Sequence, residues 1–323
     1  MDNKSIYKKT IGFSLWRVLW DFLGTVAFFG FAAAGFVIAD KTTNYGLVGL
    51  AIGAVLGGVA AWLILHFIGY TYKAGQIAMM TEGVVEGKLP ENTIEAGKKV
   101  VKERFATVTA YYFVTGAIKG IFNQIGNGIT AIGQVVGGDN GGAIGGTISG
   151  IINTIIAYLC DCCLGWVFYK KDEKATKATL EGAAIFFKHG KTLLKNLGRI
   201  FGISLISFLV IGGIFFGITY LILQAFPDAM GALQSEIAQL FTENGEAVPE
   251  ILQSVLTLNL ACSAIVGIVI WSMIHSTFVR PFILIGVLRN FINSGKEEKI
   301  SEKDMEEVSK KSKKFAKLQA KEA

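Results

Sequence analysis

Lys119 stands inside a long apolar stretch and is followed at helical steps by Asn123, Asn127, Thr130 and Gln134. With Gly116 ahead of it, the set advances by 3, 4, 4, 3 and 4 residues. That spacing puts all six on one face of a helix. Ile118, Ile121, Phe122, Ile125, Ile129 and Ile132 cover much of the rest. The next apolar stretch repeats the pattern more weakly with Thr147, Gly150, Thr154 and Asp161, and Asn153 falls at the depth of Asn127. Polar groups at membrane depth are costly and face protein or water. Two chemistries fit such a stripe. One is a hydrated path for a small polar or cationic solute. The other is a helix–helix seam, where Asn and Gln bond across and glycine permits close approach. Gly126, Gly128, Gly133, Gly145 and Gly146 favour the seam.

The turn between the two stretches is centred near residue 139–140, so Lys119 and Asp161 fall at equal depth. A Lys119–Asp161 pair is expected there, either structural or released when a cation or proton binds. His66 and His275 are lone histidines in apolar stretches, readable as satisfied core residues or as pH sensors. Arg17 and Asp21 are four apart and flanked by Trp16 and Trp20, the pattern of an interfacial anchor with an intrahelical ion pair.

Several chemistries lack their residues. Cys160, Cys162 and Cys163 have no second ligand pair nearby, so they read as small core residues and no metal site is expected. His189-Gly190-Lys191-Thr192 ends like a phosphate-binding loop, but Ile185 stands where its first glycine is needed. No nucleophile–base motif occurs. Neither an enzyme nor a cofactor is expected. The basic residues are dispersed among acidic ones, which argues against nucleic acid.

The elements that carry these residues are membrane helices. A hydrophobic fraction of 52%, a charged fraction of 17% and a mean hydropathy of +0.49 are hard to reconcile with a soluble domain. Six stretches reach spanning length, at 12–39, 44–70, 106–136, 142–169, 200–225 and 252–285. Period-2 alternation is lacking, which leaves helices rather than a barrel. The short turns 40–43 and 137–142 predict antiparallel hairpins. Segment 226–250 holds five acidic and no basic residues, whereas 170–199 is rich in lysine. The basic loops and both termini are therefore expected in the cytoplasm. Lys4, Lys8 and Lys9 precede a stretch too long for a cleavable signal. The expected fold is an all-α integral membrane domain, six helices in three hairpins with amphipathic cytoplasmic helices, in the plasma membrane.

Gly87-Lys88, Gly190-Lys191 and Gly295-Lys296 recur 103 and 105 residues apart, each after an even-numbered span. His66 and His275 precede the first and third pairs by 21 and 20 residues. Approximate repeats over 1–104, 105–199 and 200–323 follow. Leu180, Ala183, Ala184 and Phe187 form an apolar face expected to lie in the inner interface against anionic lipid. The charged tail 296–323 is expected to be a solvated helix or a frayed end.

From residue 142 onward the chain resembles the choline transporter-like family. The likeness lies in GGAIGGTISGIINTIIAYLCDCCLGW (141–166), ATKATLEGAAIFFKHGKTLLKN (175–196) and HSTFVRPFILIGVLRN (275–290). The resemblance implies transport, and with the polar stripe the expected function is a membrane transporter or channel for a small polar or cationic solute, its route lined by the third and fourth stretches. The alternative is a non-transporting oligomeric scaffold or lipid-organising protein, joined through its glycine-rich helices. Partners are membrane lipids and further copies of the chain.

Overall fold

The computed structural model describes the backbone of residues 1–43, 45–137, 141–194, 197–243, 245 and 247–322. Side chains are described outside 125–153, 190–199 and a few single positions. Among the described residues the chain is all helical. Among the described residues, four helical runs are long and apolar enough to cross a membrane: Asn3–Thr43, Val48–Val85, Gly202–Gln224 and Val255–Lys296. A fifth is added if the bent pair Thr93–Arg104 and Val108–Gln124 counts as one span. The chain divides into one unit of residues 1–197 and 281–323 and a second of 198–280.

In the first unit, α1 (Asn3–Thr43) packs on α2 (Gly46–Ile64). Gly35 and Gly49 meet backbone to backbone, so a Cβ on either would fall on the other's carbonyl oxygen. Gly53 lies on Phe31, Gly57 on Phe28 and Ala61 on Gly24, the register of an antiparallel pair. The outer walls stay bare: Phe29 is 63% exposed and Val55 67%. A π-helical turn, Leu65–Gly69, joins α2 to α3 (Tyr70–Val85). The helix continues past the apolar stretch because its next face is buried: Ala74, Met79 and Met80 are all fully enclosed.

The amphipathic helix α4 (Thr93–Arg104) is capped by Asn92, whose side chain accepts from the Glu95 amide. It meets α5 (Val108–Gly137) at 83°. α6 (Gly141–Tyr169) and α7 (Ala175–Leu194) follow. The core of the unit lies where the first turns of α1 meet α3, α4, the last turns of α6, and α7. Phe13 sits fully buried between Gly75 and Gly97. Three further helices close this core. α12 (Arg280–Lys296) brings Leu288 onto Gly165, and its Arg289 donates to Asn3 Oδ1 at 2.9 Å and to the Met1 carbonyl at 2.7 Å. α13 (Glu302–Lys311) and α14 (Lys313–Glu322) bury Val308, Phe315 and Leu318.

Two expectations are corrected here. The segment 296–323 is not a frayed or solvated end. It forms two docked helices, the first started by a reciprocal capping box between Ser301 and Asp304. The α7 face does not lie open to an interface: Leu180, Ala183 and Ala184 are each 1% exposed, with Cys163 and Trp166 beside Gly182. Both segments are amphipathic, and protein rather than lipid covers their apolar sides.

The second unit contains α8 (Leu197–Ser207), a π-helical turn Phe208–Gly212, α9 (Gly213–Gln224), α10 (Pro227–Glu243) and α11 (Val255–Ile274). A further π-helical turn, His275–Val279, ends it. Gly212 and Gly267 touch through backbone. Trp271 packs edge-on to Phe208 and donates from Nε1 to Ser207 Oγ at 3.1 Å. The acidic segment 226–250 holds helix α10.

Candidate functional site

Asp161 is the buried charged residue among the described residues of the first unit, with its side chain 6% exposed. Its ion pair is with Lys73 of α3 at 3.2 Å, not with Lys119. Lys119 lies on an exposed part of α5. The expected Lys119–Asp161 pair is therefore corrected. The last turns of α6 pack on α3, and helix packing outweighed the equal depth inferred from a symmetric hairpin. Asp161 also makes interactions beyond this pair, as does Thr154.

Around the pair the structure gathers aromatic and polar groups that the sequence reading passed over. Tyr72 next to Lys73 stacks on Trp16 at 5.8 Å and accepts from Lys98 Nζ at 3.0 Å. One turn on, Gln76 is 2% exposed and donates to Ser14 Oγ at 2.9 Å and the Thr10 carbonyl at 3.3 Å. These bonds satisfy an amide that would otherwise be costly to bury. Thr10 and Ser14, four residues apart and bonded to Gln76, are the signal that was available. They fell at and beyond the ends of the apolar stretches, where polar residues look like ordinary flanks.

The polar stripe is described only in part. Lys119 is exposed and Asn123 half-buried; Thr154 is half-buried. The side chains of Asn127, Thr130, Gln134 and Asn153 lie outside the described residues. The neighbouring edge of α5 is a seam with α14. Gln124 Oε1 accepts from Ser312 Oγ at 2.8 Å and from the Lys314 amide at 3.0 Å. A Cβ on Gly120 would strike the Lys314 side chain.

The histidines are both held by aromatic neighbours, and both lie in π-helical turns. His66 is sandwiched between Trp62 at 4.6 Å and Tyr112 at 3.8 Å, and its carbonyl accepts from the Tyr112 hydroxyl at 2.9 Å. His275, in the second unit, has Trp271 beside it at 5.2 Å and shares a 2.9 Å hydrogen bond with Ser204. Each thus follows a tryptophan by four residues, an extra likeness between the first and third segments. π-turns leave a carbonyl out of the regular ladder and often mark functional positions.

A charged latch fastens α7 to the C-terminal helices. Lys188 Nζ lies 2.8 Å from Glu298 and 3.5 Å from Asp304, and His189 approaches Glu298 at 3.3 Å. The hydrogen bond to Glu298 raises the Lys188 amine above its usual value. The same bond holds Glu298 below the usual carboxylate range, and the Ser301 amide and hydroxyl hold Asp304 low. Depressed carboxylates contribute stability above their ordinary values and lose it as pH falls through the lowered ones. Docking of 297–311 should therefore persist at neutral pH and loosen below about pH 4. Hydrogen exchange of this segment, corrected for intrinsic rate, should report the change. Protection that stays flat through acid would remove the latch.

Cys162 and Cys163 are fully buried, and Cys163 Sγ contacts the Thr179 carbonyl at 3.5 Å. They are core residues, as their small apolar character suggested. No family model matches this chain, and no match is found among curated proteins or solved structures.

Proposed function

We propose that this chain is a non-transporting membrane protein that holds a folded helical cap against the bilayer and organises lipid around it. One observation carries the reading: the described edge of the polar α5 helix is a seam with α14, through Gln124, Ser312 and Lys314, not an open wall. The paired long helices support it. α1 and α2 close on each other through Gly35 and Gly49, which leaves no space between them, while large apolar side chains cover their outer walls. In this reading α5 and α6, 30 and 29 residues long, complete six spans in three hairpins. The lysine-rich cap and both termini face the cytoplasm beneath the plasma membrane, and glycine-rich faces join copies.

A solute transporter is the second reading, in keeping with the resemblance to the choline transporter-like family. It is favoured by the Lys73–Asp161 pair, whose lysine is 41% exposed and so open to exchange with a cation. Reconstitution in sealed vesicles separates the two. Under the first reading, choline, proton and potassium fluxes match protein-free vesicles, while labelled anionic lipid clusters around the protein. Saturable flux abolished by Lys73→Met would overturn it in favour of the second. Protease added outside vesicles of known protein orientation checks that the cap and both ends share one side.

A further inference from the structure

A groove of about 390 Å³ runs between α5 and α14. One wall is formed by Tyr112, Phe113 and Gly116 of α5, the other by Lys314, Lys317 and Lys321 of α14. The two walls differ in chemistry. Phe113 is 52% exposed, and nothing lies within 4 Å of where a Gly116 Cβ would stand. The three lysines recur at i, i+3 and i+7, which points all of them from one face of the helix. All three are exposed, and none has an ion-pair partner among the described residues. Glu322, the one acidic residue of α14, is turned away to Thr176 on α7 and to Lys174 just before it. The helix thus separates its charges, leaving only positive ones on the groove.

The depth of the groove is given by its apolar wall. Tyr112 bonds to the His66 carbonyl, inside the membrane-length run Val48–Val85. Near that level Leu63 and Phe67 are 43% and 51% exposed. An acyl chain along these walls would place its headgroup under the lysines. Basic clefts beside membrane helices take anionic headgroups in this manner.

We propose that the α5–α14 groove is a binding site for an anionic phospholipid, with the phosphate group between Lys314, Lys317 and Lys321 and an acyl chain against Phe113 and Gly116. This deepens the lipid-organising reading and rests on it for its setting. Its test reads binding alone: flux in vesicles would sink that reading and leave the groove intact.

The full-length protein in a mild non-ionic detergent is titrated with phosphatidylglycerol and with phosphatidylcholine of the same chains, and retained lipid is counted by native mass spectrometry. Saturable retention of phosphatidylglycerol over phosphatidylcholine is expected. Lys314→Gln/Lys317→Gln/Lys321→Gln should weaken it by roughly 100-fold. Lys88→Gln/Lys102→Gln/Lys299→Gln, an equal charge change at exposed positions elsewhere, should weaken it less than about threefold. Gly116→Phe fills the groove without touching charge and should also abolish retention; a thermal melt confirms that each variant is folded. Equal retention of both lipids would overturn the proposal, as would equal losses in the two triple variants. Undiminished binding in folded Gly116→Phe would too. Displacement by millimolar inorganic phosphate would assign the lysines to a soluble anion and overturn it as well.

Discussion

Lys73→Met should destabilise the protein in detergent by roughly 2–3 kcal/mol, whereas Lys119→Met should change stability by less than about 0.5 kcal/mol. Removing one partner of a fully buried pair costs about 3–5 kcal/mol, because the remaining charge is stranded. Asp161 would keep its charge at a site where its side chain is only 6% exposed. Lys73 is 41% exposed, so water already screens part of the attraction and the cost falls below the full range. Adding Asp161→Asn to Lys73→Met should recover much of the loss, since the amide carries no charge. Recovery should be partial, because Asp161 has other interactions that the amide only partly replaces. Chemical denaturation of the four proteins checks this. Equal losses for Lys73→Met and Lys119→Met would show that the pair has no special weight.

Phe315→Ala should detach the C-terminal helix at a cost of about 3–4 kcal/mol to its docking. Phe315 is fully enclosed, and the Ser312 hydroxyl caps its backbone amide at 3.2 Å. The neighbouring exposed Lys317 provides the contrast: Lys317→Ala should change docking by less than about 0.5 kcal/mol. Limited trypsin digestion reads the difference, because α14 carries four lysines at 313, 314, 317 and 321. In the parent these sites should be cut slowly, and in Phe315→Ala rapidly, with the rest of the first unit still resistant. Rapid cutting in the parent would mean that the tail is solvated after all.

The helical character of the chain was legible because it is local. Each of the six apolar stretches falls in helix, since a run of apolar residues with few prolines leaves the backbone no other partner in lipid than itself. His66 and His275 each follow a tryptophan by four residues and each lies in a π-turn, and the π-turns were not legible from the sequence. The small, buried character of Cys162 and Cys163 followed from their type.

The partner of Asp161 was not legible. Depth along a hairpin compares only two helices, and α6 has another neighbour, α3, contributed from 88 residues earlier in the chain. Nor was the fate of the amphipathic faces. Leu180, Ala183 and Phe315 have the periodicity of surface helices, and periodicity says that a face is covered without saying by what. Thus the sequence by itself determined that the chain is helical, that it holds runs long and apolar enough to cross a membrane, and which faces must be covered. Tertiary structure alone decided that Lys73 meets Asp161, that α14 closes on Gln124, and that protein covers α7. Helix and burial depend on a residue and its near neighbours, but pairing depends on which distant helices come to pack, and 3.6-residue periodicity carries no address for a partner.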